Sequence, residues 1–183
     1  MTLLALNGSP RIGGNTDLLL QAALEAAATT GAATRLIQLA GLQIAECDGC
    51  VACWQPGDCI KQDDMNPLYE QIAQADAIIF GSPVYWYSPT GLMKLLLDRL
   101  VYFNCPAHRA LVRGKPAGVI TPFEEEDPAM ADLLLAIFRK SFAYLEMPFA
   151  GSVVVPGVSA AGDVLGKPDA LDAARDLGRG LVS

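Results

Sequence analysis

Histidine is almost absent from this sequence: His108 is the only one among 183 residues. It has no second imidazole to pair with and falls in a segment that reads as loop, so it is taken as a surface residue rather than a catalyst. Long hydrophobic runs are also missing. The chain is 52% hydrophobic with a mean hydropathy of +0.31, but charges interrupt it throughout. No apolar stretch approaches the roughly 18 residues a membrane helix needs, which predicts a soluble protein with no membrane partner. Basic residues are scarce, with 13 Lys plus Arg against 20 Asp plus Glu and a net charge of −7. They form no stripe that could follow a phosphate backbone, so nucleic acid is not an expected partner. Met1 to Leu6 carries no basic n-region and few apolar residues before Asn7 and Gly8. A secretory signal is not readable there, and a cytoplasmic location is expected. Repeats, low-complexity tracts and linkers are lacking too, so residues 1–183 are expected to form a single domain.

Short apolar segments alternate with amphipathic ones instead. Leu3–Leu6, Thr34–Leu39, Asp76–Phe80, Ala117–Thr121 and Ser152–Val155 read as strands. Helices are expected over Thr16–Thr29, Asn66–Ala73, Thr90–Leu100, Pro128–Tyr144 and Asp169–Leu177. The uniformly apolar Ala117–Thr121 suits a strand buried on both faces. The alternation argues for a doubly wound α/β fold on a parallel sheet. In such sheets ligands sit beyond the carboxyl ends of the strands, so the loops after strands one, three and four matter most.

The first of these loops runs Gly8-Ser9-Pro10-Arg11-Ile12-Gly13-Gly14-Asn15-Thr16. Small residues let backbone amides converge, Ser9, Asn15 and Thr16 add side-chain donors, Arg11 adds charge, and a helix N-terminus follows. The spacing is not Gly-x-Gly-x-x-Gly, and no Lys-Ser/Thr pair completes a nucleotide loop, so a single terminal phosphate fits better than a dinucleotide or ATP. The plainer reading is a polar turn with Thr16 as helix cap. The second loop, Ser82 to Gly91, packs Tyr85, Trp86 and Tyr87 between prolines. These rings suit either a flat heterocycle or an oligomer interface.

Taken together, Gly8-Ser9-Pro10-Arg11 with Gly14-Asn15-Thr16, and Gly81-Ser82-Pro83-Val84-Tyr85 with Ser88, Lys94 and Asp98-Arg99, resemble the NADPH-dependent FMN reductase family over nearly the whole chain. The resemblance implies a flavodoxin-like five-stranded sheet in three layers, strand order 2-1-3-4-5. It implies that Ser9, Arg11, Asn15 and Thr16 bind the FMN phosphate, and that Pro83, Val84, Tyr85, Trp86 and Ser88 form the isoalloxazine loop. Thr121, Pro122 and Phe123 complete the site. The third loop departs from the family pattern, with Pro122-Phe123 and the acidic run Glu124-Glu125-Glu126-Asp127 replacing a glycine-rich turn. Flavin chemistry needs little acid–base help from side chains, so no catalytic acid or base is assigned.

Four of the five cysteines fall at Cys47-x2-Cys50-x2-Cys53-x5-Cys59. The spacing is similar to the compact motif of the iron–sulfur flavoproteins, a branch of the same group, in which the cysteines hold a [4Fe–4S] cluster. Free or reversibly oxidised thiols, or zinc, are the alternatives. Cys105 stands apart and reads as structural. The function implied is an FMN-dependent oxidoreductase passing electrons from NAD(P)H to a quinone, nitroaromatic, flavin or redox-protein acceptor. An iron–sulfur flavoprotein relaying electrons between proteins is the alternative, and an interaction module that only inherited the fold is a third. The exposed aromatic loop and the family habit of pairing across the flavin site predict a homodimer or homotetramer.

Overall fold

The computed structural model describes residues 1–54 and 57–183. Five strands, Thr2–Asn7 (β1), Ala33–Gln38 (β2), Ala77–Gly81 (β3), Ala117–Pro122 (β4) and Phe149–Val155 (β5), pair in parallel in the order β2-β1-β3-β4-β5. The helices are Asn15–Ala28 (α1), Met65–Gln74 (α2), Gly91–Arg99 (α3), the single turn Val101–Asn104 (α4), Asp132–Tyr144 (α5) and Pro168–Gly180 (α6).

The two-residue period of a strand divides the core. Leu4, Leu6, Ile78 and Phe80 face one side, where Leu68 and Ile72 of α2, Leu96 of α3 and Phe138 and Phe142 of α5 cover them. Leu3, Ala5, Ala77 and Ile79 face the other, against Leu19, Leu20 and Ala23 of α1 and Ala174 of α6. Both faces are therefore dry, which explains why β3 and β4 are apolar at nearly every position. α1 and α6 meet at very short range: a Cβ on Gly178 would lie 2.1 Å from the Ala23 carbonyl oxygen.

Several boundaries shift from the sequence expectation, and two of the shifts have a clear physical cause. β5 starts at Phe149 instead of Ser152, because Ala117 pairs with Phe149 while Gly118 pairs with Gly151, leaving Ala150 as the extra residue of a bulge. Gly151 has φ +144° there, and its small, non-periodic neighbourhood hides the strand start. The helix expected from Pro128 opens as a 3₁₀ turn over Pro128–Ala131 and becomes α-helical at Asp132. Among the described residues no helix is long and apolar enough to cross a membrane.

Candidate functional site

The carboxyl ends of β1, β3, β4 and β5 converge on one cleft of about 160 Å³. The β1 loop is held by its own polar groups. The Ser9 N–H donates to Asn7 Oδ1 at 2.9 Å, the Arg11 N–H to Ser9 Oγ at 3.1 Å, and the Gly14 N–H to the Arg11 carbonyl at 3.1 Å. Gly13 takes φ +73°, a conformation glycine adopts without penalty, and donates its N–H to Asp17 Oδ2 at 2.7 Å. The α1 N-terminus carries no side-chain cap: its cap residue is Gly14, and Thr16 lies buried inside the first turn. The plainer reading of Thr16 as a cap does not hold. Uncapped amides at a helix N-terminus inside a cleft are what a phosphate requires.

The second loop is fastened to the first. Gly8 N–H donates to the Gly81 carbonyl at 2.8 Å, and Thr90 Oγ1 donates to the Gly8 carbonyl at 2.6 Å while accepting from the Met93 N–H at 3.2 Å as the cap of α3. Backbones this close leave no space for a side chain, since a Cβ on Gly8 would fall 2.6 Å from Met93 Cβ. At the loop tip Tyr85 and Ser88 exchange both backbone hydrogen bonds, at 2.8 and 3.1 Å, which places Trp86 and Tyr87 at the two central positions of a tight turn. Both have positive φ, +50° and +64°. Asn-Gly is favoured in such turns, and a bulky residue in this region costs about 1–2 kcal/mol. Trp86 is 92% exposed. Strain spent on presenting two rings outward is characteristic of a binding surface.

Of the residues expected to hold the cofactor, Ser9, Arg11, Asn15, Thr16, Pro83, Val84, Tyr85 and Pro122 line the cleft. Trp86 lies beside it, in an adjoining recess shared with Val84, Tyr87, Glu125 and Met130. Ser88 is turned into its own loop, donating to the Tyr85 and Pro89 carbonyls. Thr121 is fully buried at the end of β4, and its Oγ1 has no hydrogen-bond partner; Asn7 Nδ2 at the end of β1 is likewise unpartnered. The Asn15 side chain is already engaged: its Nδ2 donates to the Ala160 carbonyl at 2.9 Å, and its Oδ1 accepts from Gly162 and Val164. Asn15 thus organises a fourth loop, and Arg11 Nη1 reaches the same loop through the Ser159 carbonyl at 2.8 Å. Val158, Ser159 and Ala161 complete the wall. Sequence reasoning missed them; the Pro156-Gly157 break after β5 was the available signal. Glu124 and Glu125 line the end of the cleft contributed by β4, held there by the Gly157 N–H donating to the Glu125 carbonyl.

All four clustered cysteines line a second, smaller cavity of about 40 Å³, together with Lys61, Tyr69, Arg99 and Tyr102. All five cysteines are unpaired thiols. The loop is closed at its base: Gln43 and Asp64 exchange hydrogen bonds, Ala45 N–H donates to Asp63 Oδ2 at 3.0 Å, and Arg99 Nη1 meets the same oxygen at 2.6 Å. Burial pushes the Cys53 thiol up, with Cys59 adding to the effect. Burial also raises the Tyr102 hydroxyl, pushed up to about 12, and its bond to Asp58 adds to this. His108 stacks on Tyr102 with ring centroids 3.9 Å apart, so it is partly packed and not simply a surface residue. Among the described residues no three Cys, His, Asp or Glu side chains converge on a point that a single ion could occupy.

The profile of the NADPH-dependent FMN reductase family matches residues 1–162. An iron–sulfur flavoprotein of Archaeoglobus fulgidus is 33% identical over 67% of this chain and 54% of its own length. One from Methanocaldococcus jannaschii is 40% identical over 54% of this chain and 51% of its own. The chain thus spans about half the length of these relatives. YwqN of Bacillus subtilis, named as an NAD(P)H-dependent FMN-containing oxidoreductase, is 30% identical over 97% of this chain and 96% of its own. Among solved structures, a protein described as the Trp repressor binding protein of Bacillus subtilis superposes with TM-score 0.74 at 29% identity, covering 97% of this chain and 98% of that one. An archaeal flavodoxin shares the fold with TM-score 0.63 at 12% identity, over 100% of this chain and 96% of that one.

Proposed function

The chain belongs to the NADPH-dependent FMN reductase family, and from that premise we propose an FMN-dependent oxidoreductase that passes electrons from NAD(P)H to a quinone, nitroaromatic, flavin or redox-protein acceptor. The carrying observation is the pairing, across one cleft, of an uncapped helix N-terminus with Arg11 at one end and the Pro83-Val84-Tyr85 wall at the other. The residues fit FMN. The α1 amides, Ser9 and Arg11 suit its terminal phosphate, while Asn15 acts by holding the fourth loop in place. The buried, unpartnered Thr121 Oγ1 and Asn7 Nδ2 sit at the ends of β4 and β1, the strands on either side of the central β3, where a ligand's polar groups would satisfy them. When bound, FMN supplies a ring that takes up the two electrons of a hydride and returns them to an acceptor. The protein's part is to stack, orient and bias that ring, and the cleft needs no general acid or base.

The cysteine cavity supports a second element. Cys47, Cys50, Cys53 and Cys59 are proposed ligands of a [4Fe–4S] cluster, because four thiols share one cavity lined also by Arg99 and Lys61. With a cluster in place, the protein would also serve as an electron carrier between proteins. A homodimer or homotetramer sheltering the Trp86–Tyr87 tip, and a cytoplasmic location suited to unpaired thiols, belong to the same proposal. The test is anaerobic purification followed by flavin identification, iron and sulfide analysis, and addition of NADH or NADPH. FMN that bleaches on adding either nucleotide supports the oxidoreductase. Bound FMN that neither nucleotide reduces, with iron and sulfide present, favours the carrier.

A further inference from the structure

Arg99 is 1% exposed, yet it belongs to no part of the flavin cleft. A guanidinium has five N–H groups, and a buried one must place them all. Here Nε–H donates to the Tyr69 hydroxyl at 3.1 Å, and the hydroxyl returns a bond to the Arg99 carbonyl at 3.3 Å. Nη1 serves the Ala45 carbonyl at 2.9 Å and Asp63 Oδ2 at 2.6 Å. Nη2 serves Asp63 Oδ1 at 3.2 Å, and its remaining proton points at Cys59 Sγ, 3.5 Å away. Four of the five therefore fix the plane of the guanidinium, and the fifth is delivered to a sulfur on the cavity wall.

A thiol is a weak acceptor and a thiolate a strong one. A buried cation held this close to sulfur favours the more negative state of whatever that sulfur binds. Lys61, the other cation on the wall, is paired with Asp48 at 3.0 Å and is partly exposed, so its field is partly neutralised and partly screened. Asp63, Arg99's partner, is absent from the cavity lining and meets the guanidinium along its Nη1–Nη2 edge.

We infer that Arg99 is a positioning residue for the four-cysteine site: it orients Cys59 and raises the reduction potential of an iron–sulfur centre held there, with Asp63 moderating its charge. This rests on the cluster reading above and adds the residue that tunes it. The centre gains one electron on reduction and its net charge becomes more negative by one, so removing the guanidinium disfavours reduction and unpairing it favours reduction.

The experiment uses the whole chain, reconstituted without oxygen with FMN, ferrous iron and sulfide, and compares wild type with Arg99→Gln, Arg99→Lys and Asp63→Asn. Iron and flavin content are measured, and the iron centre is titrated by spectroelectrochemistry. Arg99→Gln is expected to make reduction at least tenfold less favourable, equivalent to 59 mV for one electron. Arg99→Lys restores most of the loss, and Asp63→Asn shifts the equilibrium the opposite way. A merely structural role would not produce shifts of opposite sign. Equal potentials in all four proteins overturn the inference. If Arg99→Gln fails to retain iron, Asp63→Asn decides alone, a more favourable reduction supporting the inference and an unchanged one overturning it. Wild type that takes up FMN but no iron overturns the cluster reading, and the inference with it.

Discussion

Arg99 and Asp63 form a two-pronged ion pair, Nη1 to Oδ2 at 2.6 Å and Nη2 to Oδ1 at 3.2 Å, that joins the end of α3 to the end of the cysteine loop. Burial, the largest single influence, would raise the Asp63 carboxyl, but the bonds from Arg99 and from the Ala45 and Met65 N–H groups together outweigh it and hold the group below the usual carboxylate range. A carboxyl depressed in the folded state stabilises it fully above the unfolded value of about 3.9, and that contribution is lost as pH falls through the lower folded value. The loop should therefore loosen in acid below about pH 4. Hydrogen exchange of residues 43–64 checks this, and in Asp63→Asn the loop should be less protected at neutral pH, with a weaker acid dependence.

Gly178 packs against the Ala23 carbonyl with no space for a methyl group. Gly178→Ala should force α6 from α1 and cost at least about 1–3 kcal/mol, despite alanine's better helix propensity. Urea unfolding would show it. The flavin cleft is lined by neither helix beyond Thr16, so FMN affinity should change far less than stability.

At the aromatic tip, stability and function should move in opposite directions. Trp86→Asn with Tyr87→Gly supplies the residues that a turn with two positive φ angles prefers, and should stabilise the fold by about 1–2 kcal/mol in denaturant melts. The same double variant should lose acceptor turnover under saturating NAD(P)H.

Glu125 lies in the wall shared by the cleft and the aromatic recess. A carboxylate beside a ring that becomes electron-rich disfavours reduction. Glu125→Gln should therefore raise the FMN midpoint potential and tighten binding of reduced FMN more than oxidised FMN. Spectroelectrochemistry with paired affinity measurements tests this.

The sheet was legible because parallel strands buried on both faces must be apolar in short uninterrupted runs, as Ile78 to Phe80 and Ala117 to Ile120 are. The place of the β1 loop at the cleft was legible because glycine and hydroxyl residues between a strand and a helix have a local purpose. The contacts that depend on chain reversal were not. Arg11 meets Ser159, and Asn15 meets Ala160 and Gly162, across 145–148 positions; no local pattern in either segment announces the other. The cysteine spacing and the Asp98-Arg99 pair were both visible as motifs, but their meeting at one cavity depends on α3 lying beside the cysteine loop. Asn15 shows the reverse case, lining the cleft as expected. Its residue type suits phosphate, but its side chain is committed to the fourth loop.

The central claim is that the β1 loop and the α1 N-terminus hold a phosphate belonging to a flavin. Isothermal titration of the flavin-free protein with FMN and with riboflavin, which lacks only that phosphate, tests it most directly. The account predicts one FMN site per chain, with riboflavin at least about tenfold weaker and Arg11→Ala removing most of the difference, as loss of charge-assisted hydrogen bonds of roughly 1.5–3 kcal/mol requires. Equal affinity for the two flavins, or binding of neither, would contradict it.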